Sequence, residues 1–440
     1  MRTAQLSLLL LAVSSAAYAQ EKNRLIILAD MGNEPDEMQQ MAHMLACCNM
    51  FEVEGLLAVT GKYLRPEHRV PYRRTTHPEL FLELIDAYEQ VRPNLLKHAD
   101  GWPEADYLRS VTKTGQSGYG IADVGDGKTS EGAQLILDAL AKDDARPIWM
   151  VINAGSNTLA QALYVLKTTQ PAQVVKDAVQ KIRAFENGSQ DNSGAWIASE
   201  FPEIHWIRSN FQTYAYGGPG RRTGDTHSEL GPYQWQPFEN SAQGLGDWTA
   251  KHVQNDHGPL GEKYPDRRFR EDGPFAFMEG GGTMPWLGLV NQGLFDVDQP
   301  SWGGWSGRFT RDKVACFWSR HGDIRPDEEL FAPFYTYREA SDVWTNPLDG
   351  EVYQGDYVPI WRFRPAMYAD FQARMDWCVM PYDQANHHPI AAVDGDESDT
   401  ILRTPAMPGE QLTFDASAST DPDGDGLSFK WWIYEEAGTY

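Results

Sequence analysis

The chain has 440 residues, with 38 Lys and Arg against 62 Asp and Glu, for a net charge of −24. So acidic a protein lacks the basic footprint that nucleic acid or an anionic membrane surface requires, which excludes those partners, while neutral sugars and bound cations stay compatible. Its four cysteines (Cys47, Cys48, Cys316 and Cys378) include no CxxC pair, which argues against a disulfide scaffold and a cysteine zinc site.

In chain order, Arg2, the apolar run 6–13 and the small-x-small triplet Ala17-Tyr18-Ala19 predict a signal peptide over residues 1–19 and a secreted or periplasmic protein. No later run is apolar enough for a membrane span. The remaining length is more than one small core uses and predicts two units. From 24 to 210, apolar runs at 25–29, 53–59, 147–152, 181–185 and 204–207 alternate with helical periodicity. One helix carries Met38, Met41, Ala42 and Leu45, with Cys47 and Cys48 packing as small apolar residues; others cover 79–88, 131–141 and 158–166. Alternating βα units predict a Rossmann-type parallel sheet with helices on both faces.

Residues 211–380 are rich in Trp, Tyr, Gly and Pro and weakly periodic, suiting either a binding surface or a lid packed over the sheet. Near Asn386 the character changes. Runs at 411–415 and 427–433 read as strands around Asp421-Pro422-Asp423-Gly424-Asp425-Gly426. The expected division is therefore an α/β domain over 20–385 and an incomplete β domain over 386–440, since a full sandwich takes about 100 residues. An exported protein permits a Cys316–Cys378 bridge without establishing it.

The chemistry concentrates at Asp30-Met31-Gly32-Asn33-Glu34-Pro35-Asp36-Glu37, where an apolar strand turns into a helix and four carboxylates fall within eight residues. Acids in a first helical turn, behind Pro35, need no ligand to explain them. Asp30, at the end of an apolar strand, has no such explanation, and a hard divalent ion such as calcium is the natural counter-charge. Ligands bind outside the carboxyl ends of parallel strands. Thr60-Gly61, Asn153-Ala154-Gly155-Ser156-Asn157 and Glu186-Asn187 through Gln190-Asp191-Asn192-Ser193-Gly194 fall at those ends. No phosphate-cradling glycine loop follows a strand, so no dinucleotide cofactor is expected.

The Asp30–Glu37 corner resembles the aspartate motif of calcium-dependent nucleoside hydrolases, with two residues inserted, and the runs 54–61 and 153–163 resemble that family's next strands. The stretches 107–115, 124–128, 191–196, 302–308 and 373–377 are closer to a secreted subfamily, the nucleoside hydrolase-like, cellulose-binding proteins with an Ig-like β-sandwich C-terminal domain. The resemblance implies Ca2+ held by Asp30, Glu37, the carbonyl of Asn153 and Glu279. It implies Asp30 as the base, and Asn33, Asp36, Asn157, Asp191 and Asn192 as residues facing the substrate. The implied activity is hydrolysis of N-glycosidic or related glycosyl bonds in a small sugar, nucleoside or polysaccharide; the alternative is a non-catalytic carbohydrate-binding protein. Met278-Glu279 stands where a His-Asp pair is usual, so the leaving-group acid of some nucleosidases is missing. His257 is a candidate substitute, set against the commoner role of a loop histidine as a turn residue.

Overall fold

A computed structural model describes residues 21–217, 242–269, 273–275, 278, 281–314, 334–347 and 349–438. The proposed signal peptide, Glu279 and Cys316 lie outside the described residues.

The strand β1 (Asn23–Ala29) shows why the sheet is central. Leu25, Ile27 and Ala29 enter one hydrophobic cluster, while Ile26 and Leu28 enter another on the opposite face. A strand apolar on both faces is stable only between two layers of helices. The same division holds in β4 (Ile148–Ile152), with Trp149 and Val151 on the first side and Ile148, Met150 and Ile152 on the second. The first cluster also takes in α1 (Pro35–Leu45), α2 (Pro78–Leu95) and the helix Arg364–Trp377; the second takes in α3 (Glu131–Ala141), α4 (Asn157–Thr169) and α5 (Ser193–Glu200).

Four further strands complete the parallel core: β2 (Phe51–Ala58), β3 (Thr112–Thr114), β5 (Ile182–Asn187) and β6 (His205–Ser209). A small hairpin pairs β7 (Arg267–Phe269) with β8 (Gly273–Phe275). Then β9 (Phe309–Val314) and β10 (Phe334–Glu339) extend the main sheet, giving the order β3-β2-β1-β4-β5-β6-β10-β9. Every pairing is parallel except β10 with β9. The strand order reverses between β1 and β4, so the binding crevice of such a sheet opens outside their carboxyl ends. At the other end, Arg24 is buried in a two-pronged ion pair with Glu54, Nε to Oε1 at 2.6 Å and Nη2 to Oε2 at 3.0 Å.

The end of α1 and the segment after 386 differ from expectation, while the sequence left the state of Cys378 and the role of the 211–380 aromatics open. The helix α1 stops at Leu45, so Cys47 and Cys48 sit in the turn after it, although both are buried as expected. Cys378 is a buried free thiol. In 211–380 the described aromatics Tyr216, Trp286, Trp305, Tyr368 and Trp377 are core, so packing explains them. Among the described residues after 386, no strand forms, and 411–415 and 427–433 are irregular. Apart from turns, backbone pairing there is limited, among the described residues, to the bridges Ile390–Thr420 and Val393–Asp396 and the bond from Asp394 N to Asp415 O (2.7 Å). A β layer needs a second apolar face to bury its own, and Phe414, Phe429, Trp431 and Ile433 remain exposed. This segment docks instead through single side chains: Tyr434 donates to Asp342 Oδ2 (2.6 Å), Glu436 Oε1 accepts from Val343 N (3.0 Å), and His387, whose N and Nδ1 are held by Asp423 (2.6 and 2.8 Å), meets His98 Nδ1 through its Nε2 (2.9 Å). No helix among the described residues is long and apolar enough to cross a membrane.

Candidate functional site

Asp30 follows β1 directly and is 1% exposed, and its Oδ2 has no hydrogen-bond partner. The turn behind it is tight: Asn33 N donates to Asp30 O (3.0 Å), and Gly32 takes φ +91°. A side chain at Gly32 would lie 2.8 Å from the His77 ring and 2.9 Å from Tyr72 Oη, which is why glycine is required there. Pro35 then starts α1 and turns Glu37 inward, where it is buried. Burial, then Asp36, then Glu34 hold the Asp30 carboxyl well above its ordinary range. Burial, then Asp36, then Asp30 do the same to Glu37, opposed by hydrogen bonds from Asn153 and Gln40. Asp36 itself is half-buried at the edge of the pair.

Across the reversal point, β4 delivers Asn153. Its backbone N donates to Leu28 O (2.9 Å), which clamps the two strand ends together. Its carbonyl accepts from Gln190 Nε2 (2.9 Å) and its Nδ2 donates to Gly282 O (3.2 Å), while Oδ1 is unpartnered. Gln190 Oε1 and Asn157 Oδ1 are likewise buried without a donor, as is Asn33 Oδ1. Gly61 ties these groups together: a side chain there would come within 2.6 Å of Gln190 Oε1 and 3.3 Å of Asp30 Oδ2. Gly282 gives the matching constraint from the other side, 2.6 Å from Asn153 Nδ2. The chain just beyond Glu279 therefore passes over the end of β4, and Met278 is fully buried in the core.

The remaining expected residues divide. Asn157 donates from Nδ2 to Gly118 O (2.9 Å) and Thr60 Oγ1 (3.3 Å), so it lines the same floor. Asp191 belongs to the scaffold. Its Oδ1 accepts from Ser193 N (2.8 Å) and Ser156 Oγ (3.3 Å), and its Oδ2 from Asn157 N (3.2 Å), pinning the starts of α4 and α5. Burial pushes its carboxyl up to about 6 against those backbone donors. Asn192 Oδ1 is held by Ile121 N (3.0 Å). His257 is engaged at both ring nitrogens, by Asn255 O (2.6 Å) and Asp376 Oδ1 (3.0 Å). Gln190 was visible in sequence only as part of a polar turn. Tyr119, whose hydroxyl donates to Gln190 O (2.9 Å), carried no sequence signal at all.

Five buried oxygen acceptors without donors thus gather at the point where a doubly wound sheet binds its ligand. The donor set is carboxylate and carboxamide oxygen throughout, which fits a hard cation of the calcium type.

Residues 24–309 match the family described as cellulose-binding Sde182, nucleoside hydrolase-like domain, and residues 411–440 match the cellulose-binding protein Sde0182 C-terminal domain. No curated protein matches the chain. A solved structure of a nucleoside hydrolase-related hypothetical protein from Saccharophagus degradans, associated with carbohydrate metabolism, is similar over 96% of this chain and 87% of its own, at 33% identity and a TM-score of 0.75. Two effector proteins are far more distant: XOO4466, at 9% identity and TM-score 0.40 over 82% of this chain and 95% of its own, and the type III effector XopQ, at 9% and 0.38 over 81% and 95%. The chain belongs to the cellulose-binding, nucleoside hydrolase-like Sde182 family.

Proposed function

We propose that this protein is an exported hydrolase of glycosyl bonds that acts on sugar units of plant polysaccharide, or on related N-glycosyl compounds, in the crevice outside β1 and β4. The observation that carries this reading is the cluster of unpartnered buried oxygens around Asp30, because unsatisfied acceptors of this kind are costly and mark a place built for a ligand. Asp30, Glu37, Asn153 and Glu279 are the residues that would hold Ca2+. Bound there, it would make water more acidic and orient sugar hydroxyls. Asp30 Oδ2, buried without a partner, would take the proton of the attacking water. Asn33, Asn157 and Gln190 offer carboxamide oxygens to sugar hydroxyls, and the neighbouring carboxylates stabilise positive charge that develops on the ring. Asp191 orders this floor from behind.

No proton donor stands at Met278, a thioether sealed in the core. General acid catalysis contributes about 10²–10⁴-fold, so substrates whose leaving group needs no proton are expected to turn over faster than inosine or uridine by a factor of that order. Cleavage of a nitrophenyl riboside tests this, with Asp30→Ala as the inactive control. Equal rates on both substrate types would contradict it. The same Met278 favours a second reading, a carbohydrate-binding protein that keeps the pocket without turnover and carries an Ig-like C-terminal domain. Oligosaccharide binding with no cleavage of any substrate would select it.

A further inference from the structure

The loop between β2 and α2 runs against the charge of the whole molecule. Residues 62–77 contain Lys62, Arg65, Arg69, Arg73 and Arg74 against the single acid Glu67, in a chain of net charge −24. Its placement is equally specific. It leaves the floor of the site at Gly61, beside Gln190 Oε1 and Asp30 Oδ2, and returns at His77, whose ring closes on Gly32 in the Asp30 turn. Arg73 N–H groups reach back to that turn, with Nη2 donating to Asn33 O at 2.6 Å. The Arg65 guanidinium lies 4.6 Å over the ring of Tyr119, and the Tyr119 hydroxyl donates to Gln190 O. The loop is internally braced by Arg65 N to Arg73 O (2.9 Å) and Arg74 Nε to His68 O (2.8 Å).

A loop that existed only to neutralise the acids of the Asp30 turn would place its guanidinium groups on their carboxylates. The contacts just given run instead to an aromatic ring and to main-chain carbonyls, which leave guanidinium edges for another acceptor. Crowding of positive charge is also visible at Lys62, whose ammonium is held below its ordinary range by burial and then by Arg65. Arg73 touches Asn33 of the sugar floor directly, and Arg65 reaches Gln190 through Tyr119. Guanidinium groups recognise planar or tetrahedral oxyanions through paired N–H donors.

We propose that this loop makes the site selective for an anionic sugar, one with an oxyanion next to the ring bound above Asp30. This inference rests on the sugar-site reading above and names the charge of its ligand. A uronic acid carboxylate and a sugar phosphate share that chemistry. Arg65 and Arg73 supply the donors beside the floor, exposed Arg69 adds charge to the same loop, and the Arg65–Tyr119 stack holds one donor in place.

Calorimetry on the full chain with calcium present tests it with two matched pairs: methyl glucuronide against methyl glucoside, and ribose 5-phosphate against ribose. The anionic member of at least one pair is expected to bind on the order of tenfold tighter than its neutral partner. The pair that discriminates identifies carboxylate or phosphate. That preference should fall to near unity in the double variant Arg65→Ala, Arg69→Ala, and also in unmodified protein at about 0.5 M salt, where exposed charges are screened. Equal binding within both pairs, or a preference that survives the double variant, overturns the anion inference and leaves the sugar site standing. Absence of binding by all four compounds overturns both.

Discussion

The two ends of this molecule invert each other. Outside β1 and β4, polar oxygens are buried without partners. After residue 386, large apolar side chains face solvent, with Ile433 78% and Trp431 59% exposed. Each arrangement costs free energy in the isolated chain, the first through lost hydrogen bonds and the second through exposed apolar area. The first is held in a rigid frame, because Asn153 N–Leu28 O and Gly155 N–Thr60 O lock the strand ends and Asp191 pins two helices. The second hangs on a few side-chain contacts, chiefly Tyr434 with Asp342 and His387 with His98. The contrast separates a preorganised site, whose polar strain the core supports, from a segment whose large apolar side chains stay about half or more exposed.

The largest effect should come from the frame itself. Asp191→Ala leaves Ser193 N and Asn157 N, both buried donors, without their acceptor. It should cost about 2–4 kcal/mol in a denaturant titration. A loss under roughly 0.5 kcal/mol, the range of ordinary surface substitutions, would mean that Asp191 does not pin the site and would return it to the candidates for facing substrate.

A smaller effect is expected at the junction. His98 Nδ1 meets His387 Nε2 at 2.9 Å, and His387 Nδ1 meets Asp423 Oδ1 at 2.8 Å, with His98 Nε2 on Met380 O at 3.0 Å. Two facing imidazoles share one proton, so a second proton repels. Burial first, with His387 and Lys97 adding to it, lowers the His98 pKa below its ordinary 6.5, while Met380 O and Asp423 oppose. The unfolded or released form therefore binds the proton more readily than the docked one. The docking contribution is present above pH 6.5 and is lost as pH falls through the lowered value. Limited proteolysis after residue 386 should accelerate on acidification from pH 7 to pH 5, and His98→Gln should flatten that dependence. A cleavage rate independent of pH would rule the junction out as a titrating contact.

Most of the frame was legible because its pattern was strong. Five apolar runs and three of the four periodic helices were placed within a few residues, the helix expected at 79–88 runs on to Leu95, and Asp30 stood out as a charge at the end of an apolar strand. The failures have physical causes. Thr112–Thr114 is short and polar, so β3 carries no periodic signal. The edge strand β9 and its neighbour β10 read as charged and aromatic, Phe309-Thr310-Arg311-Asp312 and Tyr335-Thr336-Tyr337-Arg338, so neither shows the continuous apolar run of the central strands, and an edge such as β9 needs none. The alternation at 427–433 matched a strand, but alternation specifies a strand only where a partner sheet covers one face. For Asp191, sequence cannot tell an acid facing a cavity from one capping its own neighbours, and the structure adds its bonds to Ser193 N, Ser156 Oγ and Asn157 N.

The central claim is that the oxygens around Asp30 form a cation site, and melting temperature with and without calcium tests it most directly. Burial and the neighbouring acids raise Asp30 and Glu37 above their ordinary values of 3.8 and 4.5. The folded protein therefore holds protons that the unfolded chain releases. This costs no stability below those ordinary values and the full penalty once the pH passes the raised ones. Calcium should relieve the penalty, raising the melting temperature by several degrees at pH 7–8 when present at about 100 times its dissociation constant, with the gain shrinking toward pH 4. Asp30→Asn, which removes the buried charge, should melt higher than the unmodified protein in chelator and gain little from calcium. An unmodified protein whose melting temperature is the same in calcium and in chelator across this pH range would contradict the account.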